Sequence, residues 1–345
     1  MQKRVITVFG GSGFIGRHLV KRLADAGFQI RVAVRDTEAA GFLKIDGDTG
    51  QVAPWLADVT HPDQVAAAID GADCVVNLVG ILYEFGRRTF HNIHVDGAAH
   101  VAAAAKAAGV RRLVHVSAIG AAEDSPALYG RTKAEGEAAV LAAFPDAVIV
   151  RPSVVFGPDD NFFNLFAGLS RLTWVLPVFG CPTWPEIKLF PEGGLVEIDL
   201  YGDGGTKFQP VYAGDVAEAI KKILFGPKGA GPAATEGMGN IFELGGPTVY
   251  SFKEIMDLLL EATGRKRFLM PLPFGLAAFY AWFLEFWPKP LLTRDQIKLL
   301  QRDNVVSRGL PGFKELGISP VAVDAVVPSY LSRFRTPARR GLNPA

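Results

Sequence analysis

A glycine-rich turn near the N-terminus limits the possible folds of this chain more than any other feature. It follows an apolar, β-branched run at residues 4–9 and opens a run of apolar residues at helical spacing. In a strand–turn–helix of this kind, the glycines allow a tight turn, a close approach of a pyrophosphate, and close helix packing. The turn therefore predicts a dinucleotide site, the alternative being a strand–helix turn without a ligand. The predicted contacts are Gly10, Gly11, Ser12, Gly13, Phe14, Ile15 and Gly16.

Strand and helix patterns alternate along the first half of the chain. Predicted strands cover residues 4–9, 29–34, 52–56, 74–79, 112–116 and 147–150, and predicted helices cover 13–26, 63–70, 96–109 and 134–143. The strands are continuously apolar, without period-two alternation, so both faces of the sheet should be covered. We expect an α/β fold with a doubly wound parallel sheet of the Rossmann type, and a smaller α/β region towards the C-terminus.

The pattern loosens in the second half of the chain. Residues 174–212 are rich in proline and glycine and predict a long excursion with short strands, one of them at 195–200, which is typical of a lid or a substrate-side region. Ser251, with Glu254 three residues on, predicts a capped helix over 251–263. The expected organisation is a dinucleotide-binding domain over 1–157, a substrate-side region over 158–335, of which 208–245 interleaves with the Rossmann sheet, and a tail over 336–345.

The end of the second predicted strand bears on the choice between NAD and NADP. In NAD-binding proteins an acidic residue about 20 positions beyond the loop holds the ribose 2′-hydroxyl. Val34 and Arg35 stand there instead, and an arginine suits a 2′-phosphate, with Arg17 as a second positive contact. The sequence predicts NADP(H) over NAD(H). Asp36 would favour NAD(H) after a one-residue shift, and both arginines could instead be solvated surface charge.

Two further strand ends should line the nucleotide groove. Asp58 follows the third predicted strand, where its carboxylate would accept from the adenine amino group or would simply cap a helix. The fourth predicted strand ends beside the expected groove. These strand ends add Val59, Leu78, Val79 and Gly80 to the predicted cofactor contacts.

Tyr129 and Lys133 are four residues apart at the start of a predicted helix and should share one helical face. A nearby ammonium group lowers the pKa of a tyrosine by favouring the phenolate, and the lysine can also hold the nicotinamide ribose. Such a pair provides the acid and base for hydride transfer between a carbonyl and an alcohol.

These motifs together resemble the short-chain dehydrogenase/reductase superfamily, in its extended or atypical branch (the NAD-dependent epimerase/dehydratase family). The match also includes His115-Val-Ser117 and Arg151–Gly157. The resemblance implies that Ser117 helps Tyr129 to polarise a substrate, and it adds Pro152 to the cofactor contacts. Two positions depart from the pattern. The catalytic hydroxyl of extended members falls at Ile119, and His94 stands where they carry an asparagine.

A narrower resemblance covers about residues 4–306. Residues 208–217, 242–247 and 292–306 are similar to the nucleotide-binding subunit 9 of the complex I alpha subcomplex and its bacterial relatives. That family implies a tightly bound structural NADPH, respiratory complex I as the partner and no assigned turnover, and some relatives are linked to quinone biosynthesis. The competing hypothesis is an active NAD(P)-dependent oxidoreductase or epimerase. It would use Tyr129 and Lys133 on a sugar nucleotide, a quinone precursor or an isoprenoid-like substrate.

Residues 272–287 are rich in Phe, Leu and Trp, and Glu285 is their only charged side chain. The run is shorter than the ~18–20 residues that a membrane-spanning helix needs. With Lys289 and Arg294 just beyond, it suits an interfacial helix in peripheral contact with a membrane, a helix that fills a partner's groove, or a buried helix.

Composition argues against several other classes of function. The net charge is +1, and the basic run at 335–340 is short, so no nucleic-acid partner is expected. Two cysteines form no disulfide framework, and His91 and His94 lack an evident third ligand, so no metal is expected. With no signal peptide, the expected location is bacterial cytoplasm, including the inner face of the cytoplasmic membrane, or the mitochondrial matrix side for a processed organelle protein.

Overall fold

The structure is a computed structural model that describes residues 4–182, 186–189, 196–226 and 239–335. The chain divides into two compact units. Unit 1 comprises Met1–Pro152, Ala213–Gly245 and Val306–Pro320, and unit 2 comprises Ser153–Tyr212, Gly246–Val305 and Val321–Ala345. The nucleotide motifs of the sequence all fall in unit 1.

The described strands are short and apolar. In chain order they are β1 (Val5–Phe9), β2 (Gln29–Val34), β3 (Val52–Leu56), β4 (Cys74–Asn77), β5 (Arg112–Val116), β6 (Val148–Pro152), β7 (Val155–Phe156), β8 (Val175–Phe179), β9 (Glu186–Leu189), β10 (Val196–Asp199), β11 (Lys207–Phe208), β12 (Val211–Tyr212), β13 (Ile241–Leu244), β14 (Tyr250–Ser251) and β15 (Phe268–Leu272).

The described α-helices lie mostly between these strands. They are α1 (Phe14–Asp25), α2 (Pro62–Ile69), α3 (Gly97–Ala107), α4 (Leu128–Ala143), α5 (Phe163–Leu172), α6 (Ala213–Phe225), α7 (Phe252–Thr263), α8 (Phe274–Leu284), α9 (Arg294–Leu299) and α10 (Val323–Leu331). A π-helix spans His91–Asp96, and 3₁₀ turns span Gly41–Asp46 and Ser332–Phe334.

A seven-stranded sheet in the order β13-β6-β5-β4-β1-β2-β3 forms the centre of unit 1, and all of its strand pairs are parallel. Val8 of β1 pairs with Val32 of β2 and with Val76 of β4, and all three side chains are fully buried. Because the strand order reverses between β1 and β4, a crevice opens at the carboxyl ends of these strands. The predicted doubly wound α/β fold of the Rossmann type is confirmed.

Three of the element boundaries that differ from the predictions lie near the predicted site. β4 ends at Asn77 instead of residue 79, because the Asn77 side chain accepts the amide of Val79 at 3.1 Å and turns the chain. α4 begins at Leu128 instead of residue 134, so the Tyr129–Lys133 segment forms its first turns. The helix predicted from residue 96 is preceded by the π-helix over His91–Asp96, which continues directly into α3.

Unit 2 is built around a cluster of aromatic and aliphatic side chains from α5, α7, α10 and the β8–β15 pair. The predicted capping box of α7 is present, since Ser251 and Glu254 bond reciprocally to each other's backbone amides. The predicted strand at 195–200 is found as β10, antiparallel to β9. Residues 227–238 and the predicted tail at 336–345 lie outside the described residues.

The apolar segment at 272–287 forms α8, and only Ala277 and Ala281 of that helix are buried. The hypothesis of a buried helix is therefore wrong for this segment. Among the residues that the structure describes, no helix is both long and apolar enough to cross a membrane.

Candidate functional site

The glycine turn brings the start of α1 against the end of β1. Gly10 has φ +75°, a left-handed conformation that favours glycine. A Cβ on Gly16 would overlap the carbonyl oxygens of Gly10 and Gly11, so this helix position accepts only hydrogen. The amide of Arg17 is the first to bond back along the helix, to Gly13 at 3.0 Å. The preceding amides of α1 have no intrahelical acceptor and lie at the positive end of the helix dipole, which suits a pyrophosphate.

The segment after β4 lies directly beside this turn. A Cβ built on Gly10 would stand 3.3 Å from the backbone of Leu78 and Val79. The amide of Leu78 donates to Phe9 at 3.0 Å, which ties the two strand ends together. The turn and residues 78–79 therefore form two adjacent walls of the crevice between β1 and β4.

Polar side chains at the ends of β2 and β3 form the next part of the site. Arg35 is exposed, whereas the carboxylate of Asp36 accepts the amide of Ala39 at 2.9 Å and is engaged in that turn. Asp58 accepts from both the amide and the hydroxyl of Thr60. Burial raises the pKa of Asp58, but these hydrogen bonds and the charge of Arg35 outweigh it, so the pKa lies below its usual value.

The remaining residues predicted around the adenosine have other contacts. Arg17 folds back on the turn, where its Nε donates to the carbonyl of Ser12 at 3.3 Å and its guanidinium lies 5.5 Å from the Phe42 ring centroid. The Val59 side chain is buried and packs in the core with Ala98. Arg88 was not predicted from the sequence, and its Nε is buried without a hydrogen-bond partner among the described residues. Burial and the charge of Arg35 lower the pKa of Arg88, and Asp58 opposes them.

Tyr129 and Lys133 lie in the first turns of α4, and burial dominates the pKa of the tyrosine. Burial raises the pKa of Tyr129 to about 12, contrary to the predicted lowering. Its ring packs edge-on against the rings of Phe90 and His94, at centroid distances of 5.8 and 5.3 Å. These apolar contacts leave the phenolate poorly solvated, so the hydroxyl keeps its proton and is a weak acid.

The ammonium group of Lys133 lies at the carboxyl end of β5. Its Nζ donates to the carbonyl of Val116 at 3.2 Å and stands 3.3 Å from the position of a Cβ on Gly80. Burial lowers the pKa of Lys133 to about 8, partly offset by the negative charge of Glu137. Lys133 therefore reaches across the sheet end to the loops that follow β4 and β5, where a nicotinamide ribose would lie.

His94 links the loop after β4 to the start of α4. Its Nε2 accepts the amide of Ile81 at 3.1 Å, so the proton sits on Nδ1, which lies 3.2 Å from Thr132 Oγ1. Thr132 in turn donates to the carbonyl of Leu128 at 3.0 Å. Burial and the charge of Lys133 lower the pKa of His94 to about 2. A neutral imidazole thus connects two segments at the position where extended members carry an asparagine.

Two polar atoms beside this network have no hydrogen-bond partner among the described residues: His115 Nε2 and Ser117 Oγ, both buried. Asn77 Oδ1 accepts the Val79 amide, so Asn77 Nδ2 faces His115 Nδ1 at 3.2 Å and leaves the proton of His115 on Nε2. Burial lowers the pKa of His115 to about 3. Unsatisfied buried groups carry a cost that a polar ligand relieves, so Ser117 fits a place facing a bound nucleotide or substrate.

The two buried histidines predict a steep acid sensitivity. In the unfolded chain they take up protons below about pH 6.5, whereas the folded protein holds both neutral. We therefore expect the free energy of unfolding to fall by about 2–3 kcal/mol per pH unit between pH 6 and pH 5, measured by denaturant titration. His94→Asn should reduce that slope by about half.

The internal control for this prediction is pH 8, where both histidines are neutral in both states. There the wild type and His94→Asn should show the same pH slope. Equal slopes for the two proteins between pH 6 and pH 5 would contradict the assignment of His94 as a buried neutral group.

The structure brings the predicted catalytic residues to one sheet end. Ser117 directly follows β5, Tyr129 and Lys133 lie in α4, and Gly80 approaches Lys133 from the loop after β4. The carbonyl of Pro152 accepts the amide of Ile119, a buried aliphatic residue at which the sequence comparison places the catalytic hydroxyl of extended members. The neighbouring crevice is formed by the glycine turn with Leu78 and Val79. At the other end of that crevice, three charged residues lie near one another: Arg35, Asp58 and Arg88.

The sequence is similar to those of known NAD(P)H-binding proteins. A family described as NAD(P)H-binding matches residues 10–155, so unit 1 carries an NAD(P)H-binding domain. Over 342 residues the chain is 33% identical to the NADH dehydrogenase [ubiquinone] 1 alpha subcomplex subunit 9 of Arabidopsis thaliana, covering 96% of this chain and 78% of that protein.

Two further comparisons concern enzymes. A ceramide reductase of Caulobacter vibrioides is 36% identical over 177 residues, covering 50% of this chain and 53% of that protein. The crystal structure of an NADPH-dependent quinone oxidoreductase of Escherichia coli, complexed with NADPH, superposes with a TM-score of 0.66 at 18% identity, covering 94% and 99% of the two chains. At that identity the superposition supports the fold alone.

Proposed function

Because the chain belongs to the family of NAD(P)-binding proteins that includes subunit 9 of the complex I alpha subcomplex, we propose that it holds NADP(H) as a tightly bound structural ligand and acts as an accessory or assembly component of that complex. The observation that carries this proposal is the extent of the similarity, which continues through both units instead of stopping at the nucleotide domain.

The cationic end of the crevice supports NADP(H) over NAD(H). At the end of β2, where NAD-binding proteins carry an acidic residue, Val34 is buried, and Oδ1 of the following Asp36 accepts the amide of Ala39. Arg35 is exposed at that strand end, and its charge contributes to lowering the pKa of Arg88. Two neighbouring guanidinium groups match a phosphate dianion, and a bound 2′-phosphate would relieve their repulsion.

The catalytic end of the site supports a structural role for the nucleotide. The hydroxyl of Tyr129 has a pKa of about 12, and Ile119 offers no hydroxyl to assist it. Lys133 is bonded to the backbone of β5. These residues bind and orient a nicotinamide ribose, yet they make a weak proton donor for a substrate carbonyl.

Release of the nucleotide from the purified protein tests the proposal. We expect NADP(H) in a near-stoichiometric amount on chromatography after denaturation. Arg35→Ala should weaken the affinity for NADPH by about tenfold or more relative to NADH, since it removes a charged hydrogen bond to the phosphate. Arg111→Ala, which removes an exposed arginine at the opposite end of β5, is the matched control and should change neither affinity. NAD(H) as the released nucleotide, or equal affinities for the two nucleotides in the wild type, would overturn the choice of NADP(H).

A reductase is the second candidate, and the buried Ser117 hydroxyl, which has no hydrogen-bond partner among the described residues, favours it. When bound, NADPH would supply a hydride, Tyr129 would give its proton to the substrate oxygen, and Lys133 would hold the ribose. Tyr129→Phe separates the two functions in assays of NADPH oxidation with a quinone, a keto-sugar nucleotide and an oxidised ceramide. Activity that disappears in Tyr129→Phe while the nucleotide stays bound supports the reductase, and wild-type protein inactive on all three supports the structural role.

A further inference from the structure

Helix α8 buries small side chains and exposes large apolar ones, which is the opposite of an ordinary surface helix. Ala277 and Ala281 face the core of unit 2 and are fully buried. At about 100° per residue, the large side chains cover about half of the circumference on the opposite side. An ordinary surface helix buries its apolar face and exposes polar residues. The exposed large side chains are Leu276, Phe279, Tyr280, Trp282 and Phe283 of the helix, together with Phe286 and Trp287 directly after its end.

These rings contact one another without covering one another. Phe279 and Phe283 meet edge to face at 5.1 Å, and Trp282 meets Phe286 in the same way at 5.5 Å. Phe286 and Trp287 nevertheless remain 73% exposed. An apolar surface of this kind on a folded chain indicates an interaction site.

The charges along the same stretch of chain are strongly asymmetric. Residues 264–302 carry seven basic and two acidic side chains, although the whole chain has a net charge of only +1. One of the two acids, Glu285, is paired with Arg294 at 2.9 Å. The remainder of the chain is therefore net negative, and the positive charge is concentrated around α8.

A second aromatic–basic group continues this stretch. The guanidinium of Arg267 lies 4.8 Å from the centroid of the exposed Trp174 ring, and Phe268 beside it is also exposed. Burial lowers the pKa of Arg265, as do the charges of Arg267 and Arg171, so three arginines lie close together. Clustered cations beside exposed tryptophan are typical of a surface that meets anionic headgroups.

We propose that the α8 surface, defined as residues 264–302 with Trp174, docks on the headgroup region of an anionic lipid bilayer. With 11 residues, α8 is about 16 Å long, too short to span a bilayer but suited to lie in its interface. The headgroup region of a bilayer can accommodate aromatic rings that cover half of a helix surface. Trp and Tyr are the aromatic residues enriched there. The basic side chains then meet the lipid phosphates. Docking through this surface requires no nucleotide in unit 1.

Vesicle flotation with the full-length protein tests this docking. We expect binding to phosphatidylcholine vesicles that contain phosphatidylglycerol, weak binding to phosphatidylcholine alone, and release at high salt. Phe286→Ser with Trp287→Ser should reduce binding to the anionic vesicles about tenfold or more. Both side chains are mostly exposed, so circular dichroism and thermal unfolding should stay unchanged. Ile45→Ser, at an 87% exposed residue of unit 1, is the matched control and should bind as the wild type does.

A second set of variants tests the contribution of the basic side chains to vesicle binding. Lys266→Glu with Lys289→Glu should weaken binding to anionic vesicles about tenfold or more, whereas Lys314→Glu in unit 1 should not. Wild-type protein that binds neither kind of vesicle, or that binds both equally, would overturn the proposal. So would a wild-type dimer in sedimentation velocity that becomes a monomer with Phe286→Ser and Trp287→Ser, since a second copy would then cover the rings.

Discussion

Gly16→Ala is expected to weaken NADPH binding about a hundredfold, because the displaced turn loses two or more charge-assisted hydrogen bonds to the pyrophosphate. The added Cβ would overlap the carbonyl oxygens of Gly10 and Gly11, which are backbone atoms and cannot rotate away. Helix α1 would have to move off the sheet, where Leu19, Val20 and Leu23 are fully buried. The free energy of unfolding should fall by about 2–3 kcal/mol as well. Fluorescence titration with NADPH and urea unfolding of the nucleotide-free protein measure the two effects.

The matched control is the same substitution in a helix with open space. A Cβ on Gly168 in α5 would meet nothing within 4 Å. Alanine there should raise the free energy of unfolding by about 0.5–1 kcal/mol, through its better helix propensity, and should leave NADPH affinity unchanged. If Gly16→Ala bound NADPH as the wild type does, the turn would not be the pyrophosphate site.

The fold was predictable because its signals are local. The β1, β2 and β4 runs are continuously apolar, as strands covered on both faces must be, and the glycine turn sits between strand and helix. The ends of strands were less predictable where a side chain, in place of a backbone carbonyl, accepts the hydrogen bond of a following amide. The bond from the Val79 amide to Asn77 ends β4 early, and no periodicity in the sequence signals it.

The electrostatics of the site were not predictable from spacing. The Tyr-x-x-x-Lys pattern places Tyr129 and Lys133 on one helical face but does not show what surrounds them. Phe90 and His94, about 40 residues earlier in the chain, pack on the tyrosine ring, and the resulting burial outweighs any nearby cation. Arg88 was missed for a similar reason, since it belongs to an irregular loop and only the fold brings it near Arg35 and Asp58.

The environment of the apolar segment at 272–287 could not be predicted from the sequence, for a different reason. Its composition was evident from the sequence, and three environments were compatible with it. Periodicity could not choose between them, because the segment is apolar on every side and a helical face cannot be assigned from such a pattern. The packing of unit 2 excludes the buried helix, because Ala277 and Ala281 are the only residues of α8 that are buried in its core.

Lys133→Met is expected to stabilise the nucleotide-free protein while weakening its hold on NADPH. Lys133 has a pKa of about 8 in the folded protein against 10.5 for an ordinary lysine. At pH 7 the folded state therefore bears a cost of up to about 3 kcal/mol for the buried charge. Methionine removes that cost and loses the bond to Val116, worth about 1 kcal/mol, so the free energy of unfolding should rise by about 1–2 kcal/mol.

The pH dependence separates this explanation from a general packing effect. Between pH 8 and pH 10.5 the folded lysine loses its proton while the unfolded one keeps it. The free energy of unfolding of the wild type therefore rises with pH through that window, and the advantage of Lys133→Met shrinks towards zero. NADPH affinity at pH 7 should fall about tenfold or more, because a charged donor to the ribose is lost. Lys314→Met, at an exposed lysine, should change neither quantity. An advantage of Lys133→Met that stays constant from pH 7 to pH 10.5 would show that improved packing, and not the buried charge, causes the stabilisation.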